Sequence, residues 1–130
     1  MKTKSSLILL FIGLFSLSLT AKDGNKTTTY RPFEMTPEVK AIVENKCYGC
    51  HNTESQNDKG KEKLDFDKMD ELSKLKKISS YKEIAEVVEE NEMPPSRFLE
   101  RYPDKKLTEE ERKAIMDWAN KEAENLVKGM

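Results

Sequence analysis

An all-α fold of four or five helices is the architecture that the sequence predicts, and three observations support it. Apolar side chains recur at intervals of three and four residues in several segments, which is the spacing of one helix face. Two Ser/Thr residues are each followed three positions later by glutamate, the pattern of a helix capping box. No segment alternates convincingly between apolar and polar residues, as a half-buried strand would. With 130 residues, the chain has room for one small domain with a limited apolar core.

The first 21 residues have the pattern of a signal peptide that is removed after export. Two lysines precede a mostly apolar run over residues 7–19, and the segment ends in the small residues Thr20-Ala21. A membrane anchor is the competing interpretation, but the run is shorter than the roughly 20 apolar residues that span a bilayer. We therefore expect a periplasmic or otherwise exported bacterial protein with no stable membrane span after cleavage.

Residues 22–35 predict a flexible linker, and residues 36–130 predict the folded domain. The linker is polar and lacks apolar periodicity. Thr36 is a good N-cap residue, and Pro37 suits the first position of a helix. The buried face of this first helix is expected to be Val39, Ile42 and Val43.

Between the first helix and the later ones, the polar stretch 52–63 contains a glycine and predicts a loop. Leu64 and Phe66 are the next apolar residues along the chain. Their side chains could cover a bound group or fill the core. Residues 67–78 predict a second helix, because their apolar side chains are spaced by threes.

Two capping boxes start the last two long helices. Ser80 with Glu83 opens a helix that ends near Asn91, and Thr108 with Glu111 opens a helix that runs nearly to the chain end. The inner face of the last helix is expected to carry Ile115, Trp118, Ala119 and Leu126. We expect the first and last helices to be in contact.

The most informative motif is Cys-Tyr-Gly-Cys-His at residues 47–51, the spacing at which a c-type haem is attached covalently. It contains both cysteines and the only histidine of the chain. The thiols of Cys47 and Cys50 lie three residues apart on a helical turn and fit the two vinyl groups of a haem. His51 then binds the iron as the proximal ligand. The sequence therefore predicts one covalent haem c, around which the helices pack.

Three other interpretations of this motif stay open. A zinc site needs four protein ligands, or three and a water, whereas the motif offers at most three crowded donors. A thioredoxin-like dithiol requires a preceding strand and a βαβ unit, whereas the flanks predict helices. The third interpretation is a plain disulfide.

A second axial ligand must be a residue other than histidine, since His51 is the only one. Met93 stands in a non-helical turn, where two following prolines stiffen the chain and cannot continue a helix. Met69 and Met116 fall on predicted apolar helix faces and are assigned to the core. We therefore predict Met93 as the distal ligand, with simple packing as the alternative role. Ligation by His and Met closes both iron faces and favours outer-sphere electron transfer.

These features together resemble small monohaem cytochrome c proteins, and most of all the exported bacterial haem-binding-domain family with C-x-x-C-H and a downstream M-P loop. The resemblance covers roughly residues 36–125. It rests on residues 47–51, Leu64-Asp65-Phe66, Met93-Pro94-Pro95 and Leu107-Thr108-Glu109-Glu110-Glu111 leading to Trp118. It implies a cytochrome c-like fold with haem attached at Cys47 and Cys50, His51 as proximal ligand and Met93 as distal ligand.

The chain departs from this family in one respect. Relatives often carry a proline soon after the motif, and in many larger cytochromes the carbonyl of such a proline orients the histidine. This chain has no proline between His51 and Pro94. We expect a backbone carbonyl or a water in the 52–63 loop to orient His51 instead.

Charge limits the partners that the protein can have. The net charge is −1 for the chain, and it becomes −3 once the two lysines of the predicted signal peptide are removed. Nucleic-acid binding has no support, because basic and aromatic residues are not interleaved. Lysines form either an ordinary solvated surface or a ring that steers an acidic redox partner toward the haem edge. They are Lys59, Lys61, Lys63, Lys74, Lys76, Lys77, Lys105 and Lys106. We expect a monomer.

The sequence thus predicts a protein that carries single electrons between redox partner proteins by cycling iron between ferrous and ferric, and that is not an enzyme. The alternative is a haem-based sensor or a module that binds nitric oxide or carbon monoxide, in which Met93 is displaced. A peroxidase is a weaker third interpretation, because it needs distal acid and base groups and no second histidine exists.

Overall fold

The computed structural model describes residues 33–130. All regular elements in this part of the chain are helices, and it contains no strand. The predicted signal peptide, residues 1–21, and most of the predicted linker lie outside the described residues. In chain order the elements are α1 (Pro37–Lys46), α2 (Asp58–Lys63), a first 3-10 turn (Phe66–Glu71), α3 (Lys74–Glu89), α4 (Ser96–Leu99), a second 3-10 turn (Pro103–Lys105) and α5 (Glu109–Lys128). The predicted all-α class with four or five helices is confirmed.

The two long helices α3 and α5 pack against each other, and α1 packs on α5. The predicted contact between the first and last helices is therefore confirmed. Their shared core contains residues from every long helix and from the first 3-10 turn. The core side chains are Val39, Ile42, Val43, Phe66, Met69, Ile78, Tyr81, Ile84, Ala85, Val88, Leu107, Ile115, Trp118, Ala119 and Ala123.

Two predicted helix starts are confirmed by the capping geometry. Thr36 Oγ1 accepts a hydrogen bond from the amide of Val39 at the start of α1. At the start of α5 the box is reciprocal, since Glu111 N donates to Thr108 Oγ1 at 3.1 Å and Thr108 N donates to Glu111 Oε2 at 2.8 Å. Each bond satisfies an amide that has no partner inside the helix.

The helix predicted over 67–78 is wrong, and so is the capping box at Ser80. Residues 66–71 form the first 3-10 turn, the chain is extended at Leu72, and α3 begins at Lys74. Ser73 caps α3 by accepting from the amide of Lys76. Ser80 lies within α3. The side-chain cap at Ser73 favours a start of α3 before the one predicted at Ser80. The apolar spacing across residues 67–78 does not reveal this earlier start.

Two short helices fall where the sequence predicts irregular chain. Helix α2 lies inside the predicted 52–63 loop, and α4 follows Pro95 directly. Neither has a buried residue, so neither produces an apolar periodic pattern in the sequence. Asn57 starts α2 by accepting a hydrogen bond from Gly60 N at 3.0 Å.

The last residues of the predicted linker pack against the domain. The Phe33 ring stacks on Phe66 and Tyr81, and Trp118 Nε1 donates to the Glu34 carbonyl at 3.0 Å. Phe33 and Glu34, which the sequence pattern assigns to the linker, are therefore part of the packed domain. Among residues 33–130, no helix combines the length and the hydropathy needed to cross a membrane.

Candidate functional site

The motif at residues 47–51 continues from α1 as a series of hydrogen-bonded turns. The Cys47 carbonyl accepts from the amides of Cys50 at 3.1 Å and His51 at 3.2 Å. The structure thereby brings Cys47, Cys50 and His51 together on one turn. Both cysteines are half-buried and free. A side chain built on Gly49 would meet nothing within 4 Å, so the space beside this residue is open.

The imidazole of His51 is held by two backbone carbonyls. Its Nδ1 lies 3.0 Å from the Gly60 oxygen and 3.0 Å from the Leu64 oxygen. Both oxygens are acceptors, so Nδ1 is the donor in these contacts, and in the neutral ring the lone pair is then on Nε2. We call these two oxygens the carbonyl pair. The expected carbonyl from the 52–63 loop is therefore present at Gly60, with a second one just beyond that loop.

Gly60 is required by a close approach of the backbone. A Cβ at this position would lie 2.6 Å from the Cys50 carbonyl oxygen and 3.2 Å from the side chain of Asn57. No side chain fits at these distances unless α2 moves away from the motif. A glycine here therefore allows α2 to approach closely enough for its carbonyl to reach His51.

Residues 64–67 attach to the motif from the other side. Phe66 N donates to the His51 carbonyl at 3.1 Å, and the two rings meet edge to face with centroids 6.3 Å apart. Asp67 accepts from Tyr48 Oη at 2.6 Å and from Thr53 N at 3.1 Å. Phe66 is also buried in the core. It therefore fills the core and supports the histidine at the same time.

A salt bridge connects the base of the motif to the start of α5. Lys46 Nζ lies 2.6 Å from Glu111 Oε2 and donates to the Lys106 carbonyl at 2.7 Å. The Lys46 side chain is only 7% exposed, so it is fixed in place. Partial burial opposes ionisation of Glu111, but its hydrogen bonds with Lys46 and the Thr108 amide lower the pKa of the carboxyl. The residue before Cys47 is thereby anchored to α5.

The thiol of Cys47 is protonated at neutral pH in this environment. Burial raises its pKa to about 11, the neighbouring Cys50 and Glu111 raise it as well, and Lys46 partly opposes them. Redox-active dithiols and zinc ligands both act as thiolates, and catalytic dithiols have lowered pKa values. A raised pKa therefore disfavours a thioredoxin-like role for this motif.

Within residues 33–130, no three His, Cys, Asp or Glu side chains gather as a group that could hold a metal ion. The two cysteines are not bonded to each other. The geometry of residues 47–51 is that of two free, half-buried thiols beside one oriented imidazole.

Met93 lies in the turn that follows α3. Its amide donates to the Val87 carbonyl at 3.2 Å, and the Met93–Pro94 peptide is cis. The Met93 side chain is 37% exposed, whereas Met69 is fully buried. Met116 packs against the core from its edge. This distribution agrees with the expectation that Met69 and Met116 are packing residues, while ligation by Met93 stays a prediction.

The first turn of α5 contacts both segments that carry predicted iron ligands. Glu111 binds Lys46 beside the motif, and the adjacent Arg112 donates through Nη1 to the Val88 carbonyl at 3.4 Å, near the end of α3. Arg112 Nε is buried without a hydrogen-bond partner in the described structure. Neighbouring residues of one helical turn thus hold the two ligand segments in a common frame.

Sequence reasoning missed Gly60, Asn57 and Arg112 as contributors to the site. A partial signal existed for Gly60, because a glycine within a polar stretch after the motif marks either a turn or a close approach. Arg112 gives no such signal, since its contact with Val88 joins two helices that are distant in sequence.

Comparison with known families adds one finding. The family model described as "Haem-binding domain" matches residues 53–121, which is just over half of the 130-residue chain. The match begins two residues after His51, so it covers the carbonyl pair, residues 64–67, Met93 and the first turn of α5. No significant match exists among curated proteins or solved structures.

Replacing Gly60 with alanine is expected to destabilise the haem-loaded protein by roughly 1–3 kcal/mol, because the new Cβ overlaps the Cys50 carbonyl. The measurement is chemical denaturation followed by helical circular dichroism. Glu62→Ala, an exposed position on the same short helix, serves as the control and should change stability by less than about 0.5 kcal/mol. Equal stability of the two variants would contradict the close approach.

Proposed function

Because the chain belongs to the haem-binding domain family, we propose that it is an exported c-type cytochrome that carries one covalent haem and transfers single electrons. The observation that supports this most strongly is the orientation of His51. With Nδ1 bound by the carbonyl pair, Nε2 is the nitrogen that remains to bind iron. Metal-binding imidazoles commonly use their second nitrogen in this way.

The residues of the site fit a haem in three respects. Two free thiols stand three residues apart beside the oriented imidazole, which is the spacing for covalent attachment. The space at Gly49 is open. Arg112 Nε is a buried donor without an acceptor, and a bound carboxylate or water would satisfy it.

Each residue has a distinct task in this proposal. Cys47 and Cys50 would hold the haem through thioether bonds to its two vinyl groups. His51 would bind the iron as the proximal ligand, and Met93 would supply a thioether as the second ligand. The bound haem supplies the one-electron ferrous and ferric couple. With His51 and Met93 both bound to it, the iron would offer no position to a substrate, so we propose electron transfer without enzymatic activity.

The partners and the compartment belong to the same proposal. Lys59 and Lys63 are exposed on α2, the helix that carries the Gly60 carbonyl, and offer positive charge close to the haem attachment site. We propose that they favour approach of an acidic redox protein. The signal-peptide pattern at residues 1–21 supports export, where c-type haem is attached in bacteria. We propose that the protein acts there as a monomer.

Covalent attachment predicts a specific mass. The protein purified after export should retain one haem after denaturation in acid and organic solvent, whereas Cys47→Ser with Cys50→Ser should release it, since no thioether remains. Mass spectrometry of the denatured chain makes the measurement. Tyr48→Phe, between the two cysteines, is the matched control and should keep the haem. A wild-type mass without haem would refute covalent binding.

Ligation by Met93 predicts that the iron is closed. Wild-type ferrous protein should resist carbon monoxide, and Met93→Ala should bind it readily and have a lower reduction potential, because the thioether favours ferrous iron. Visible spectra with and without carbon monoxide test this. Met116→Ala should weaken packing without opening the iron. If the wild type binds carbon monoxide as fast as Met93→Ala, the distal face is open and the sensor interpretation replaces electron transfer.

A further inference from the structure

The segment after Met93 forms a groove that combines aromatic and cationic side chains. Pro95, Arg97, Phe98, Glu100, Arg101 and Tyr102 line it. The rings of Phe98 and Tyr102 meet with centroids 4.9 Å apart. Turn-type hydrogen bonds continue beyond α4, because the amides of Arg101 and Tyr102 both donate to the Phe98 carbonyl. Residues four apart therefore share a face, which places Arg97 with Arg101 and Phe98 with Tyr102.

The two arginines of this groove are free, unlike the third arginine of the described chain. Arg112 contacts Glu109 and the Val88 carbonyl. Arg97 and Arg101 are exposed and form no ion pair with any residue in 33–130. Two neighbouring unpaired guanidinium groups create a local positive field that suits a ligand with carboxylates, since arginine binds carboxylate in a bidentate manner.

The groove belongs to the segment that joins the two predicted ligand regions. It begins directly after Met93 and Pro94. At its other end, Lys105 Nζ donates to Asn45 Oδ1 at 2.7 Å, and the Lys106 carbonyl accepts from Lys46 at 2.7 Å. Both contacts are with residues immediately before Cys47. The segment is therefore held next to the haem attachment point while it carries Met93.

We propose that Arg97 and Arg101 bind the propionate carboxylates of the haem, with Phe98 and Tyr102 against its apolar edge. This inference rests on the proposed function, because the haem is the occupant. A haem edge is a flat apolar surface that ends in two carboxylates. Within six residues the groove offers a match for both parts. Its aromatic rings suit the apolar surface, and its guanidinium groups suit the carboxylates.

Other charges near the groove modify this field without cancelling it. Glu100 lines the groove as well, and the adjoining second 3-10 turn contributes Asp104 and Lys105. Lys105 Nζ lies between Asn45 and Asp104, at 4.0 Å from the latter. The groove retains two arginines against one carboxylate, so a dianionic haem edge is attracted to it.

The test uses a double variant, Arg97→Gln combined with Arg101→Gln in one chain. Its control is the double variant Lys82→Gln combined with Lys121→Gln, which removes two charges from exposed positions on α3 and α5. The reduction potential of the haem-loaded protein is measured as a function of pH. Removing adjacent cations should raise the propionate pKa by about 1 unit or more. The pH-dependent part of the profile should move upward by that amount, and the potential at neutral pH should fall. The double variant Arg97→Lys with Arg101→Lys keeps both charges but loses the bidentate geometry, so its profile should fall between those of the wild type and the glutamine variant.

The outcomes separate this inference from the proposed function. Mass spectrometry on the same samples reports whether haem is attached, and its absence from the wild type refutes the proposed function itself. If haem is attached and the Arg97→Gln, Arg101→Gln variant has the same pH profile as the Lys82→Gln, Lys121→Gln control, the arginines do not bind propionates. Slower electron transfer to an acidic partner, with an unchanged pH profile, assigns the arginines to partner docking and also overturns the inference.

Discussion

The site depends on the hydrogen bonds between His51 Nδ1 and the carbonyl pair of Gly60 and Leu64. They set the tautomer of the imidazole and the direction of its free nitrogen, and they require α2 to lie against the motif. That approach is possible only because residue 60 lacks a side chain, since a Cβ would lie 2.6 Å from the Cys50 carbonyl. Asn57 caps α2 and holds Gly60 in place. Backbone carbonyls at Gly60 and Leu64 thus hold the imidazole in a part of the chain that has no proline.

A second constraint places this assembly relative to the rest of the fold. The first turn of α5 binds Lys46 through Glu111 and the end of α3 through Arg112. Since Lys46 precedes Cys47 and α3 leads to Met93, one helical turn orders both predicted ligand segments. The Lys46 side chain is buried and the bond is charge-assisted, so the geometry is specified more sharply than a solvent-exposed pair would allow. The proposed iron ligation therefore relies on packing between α1, α3 and α5.

The sequence correctly predicts those helices whose capping residue and apolar spacing indicate the same start. The caps at Thr36 and Thr108 and the apolar face of α1 predicted two helices correctly, because cap and periodicity indicate the same start. Ser80 misled, since Ser73 caps α3 earlier and the serine at 80 lies inside the helix. The motif at residues 47–51 predicts candidate ligands that the structure brings together on one turn, but it does not predict what holds them. Contacts such as Gly60 with Cys50, or Arg112 with Val88, depend on tertiary approach and leave almost no pattern in the sequence.

The exchange rate of the His51 Nδ1 proton tests the account most directly. The chain has one histidine, so labelling histidine with nitrogen-15 yields a single imidazole to observe in the reduced, haem-loaded protein. If the carbonyl pair holds Nδ1, its proton should give a sharp signal that exchanges slowly with solvent, and the signal should show contacts to residues 60 and 64. A proton that exchanges as fast as that of a solvent-exposed imidazole would contradict the account, because nothing would then orient His51 for iron.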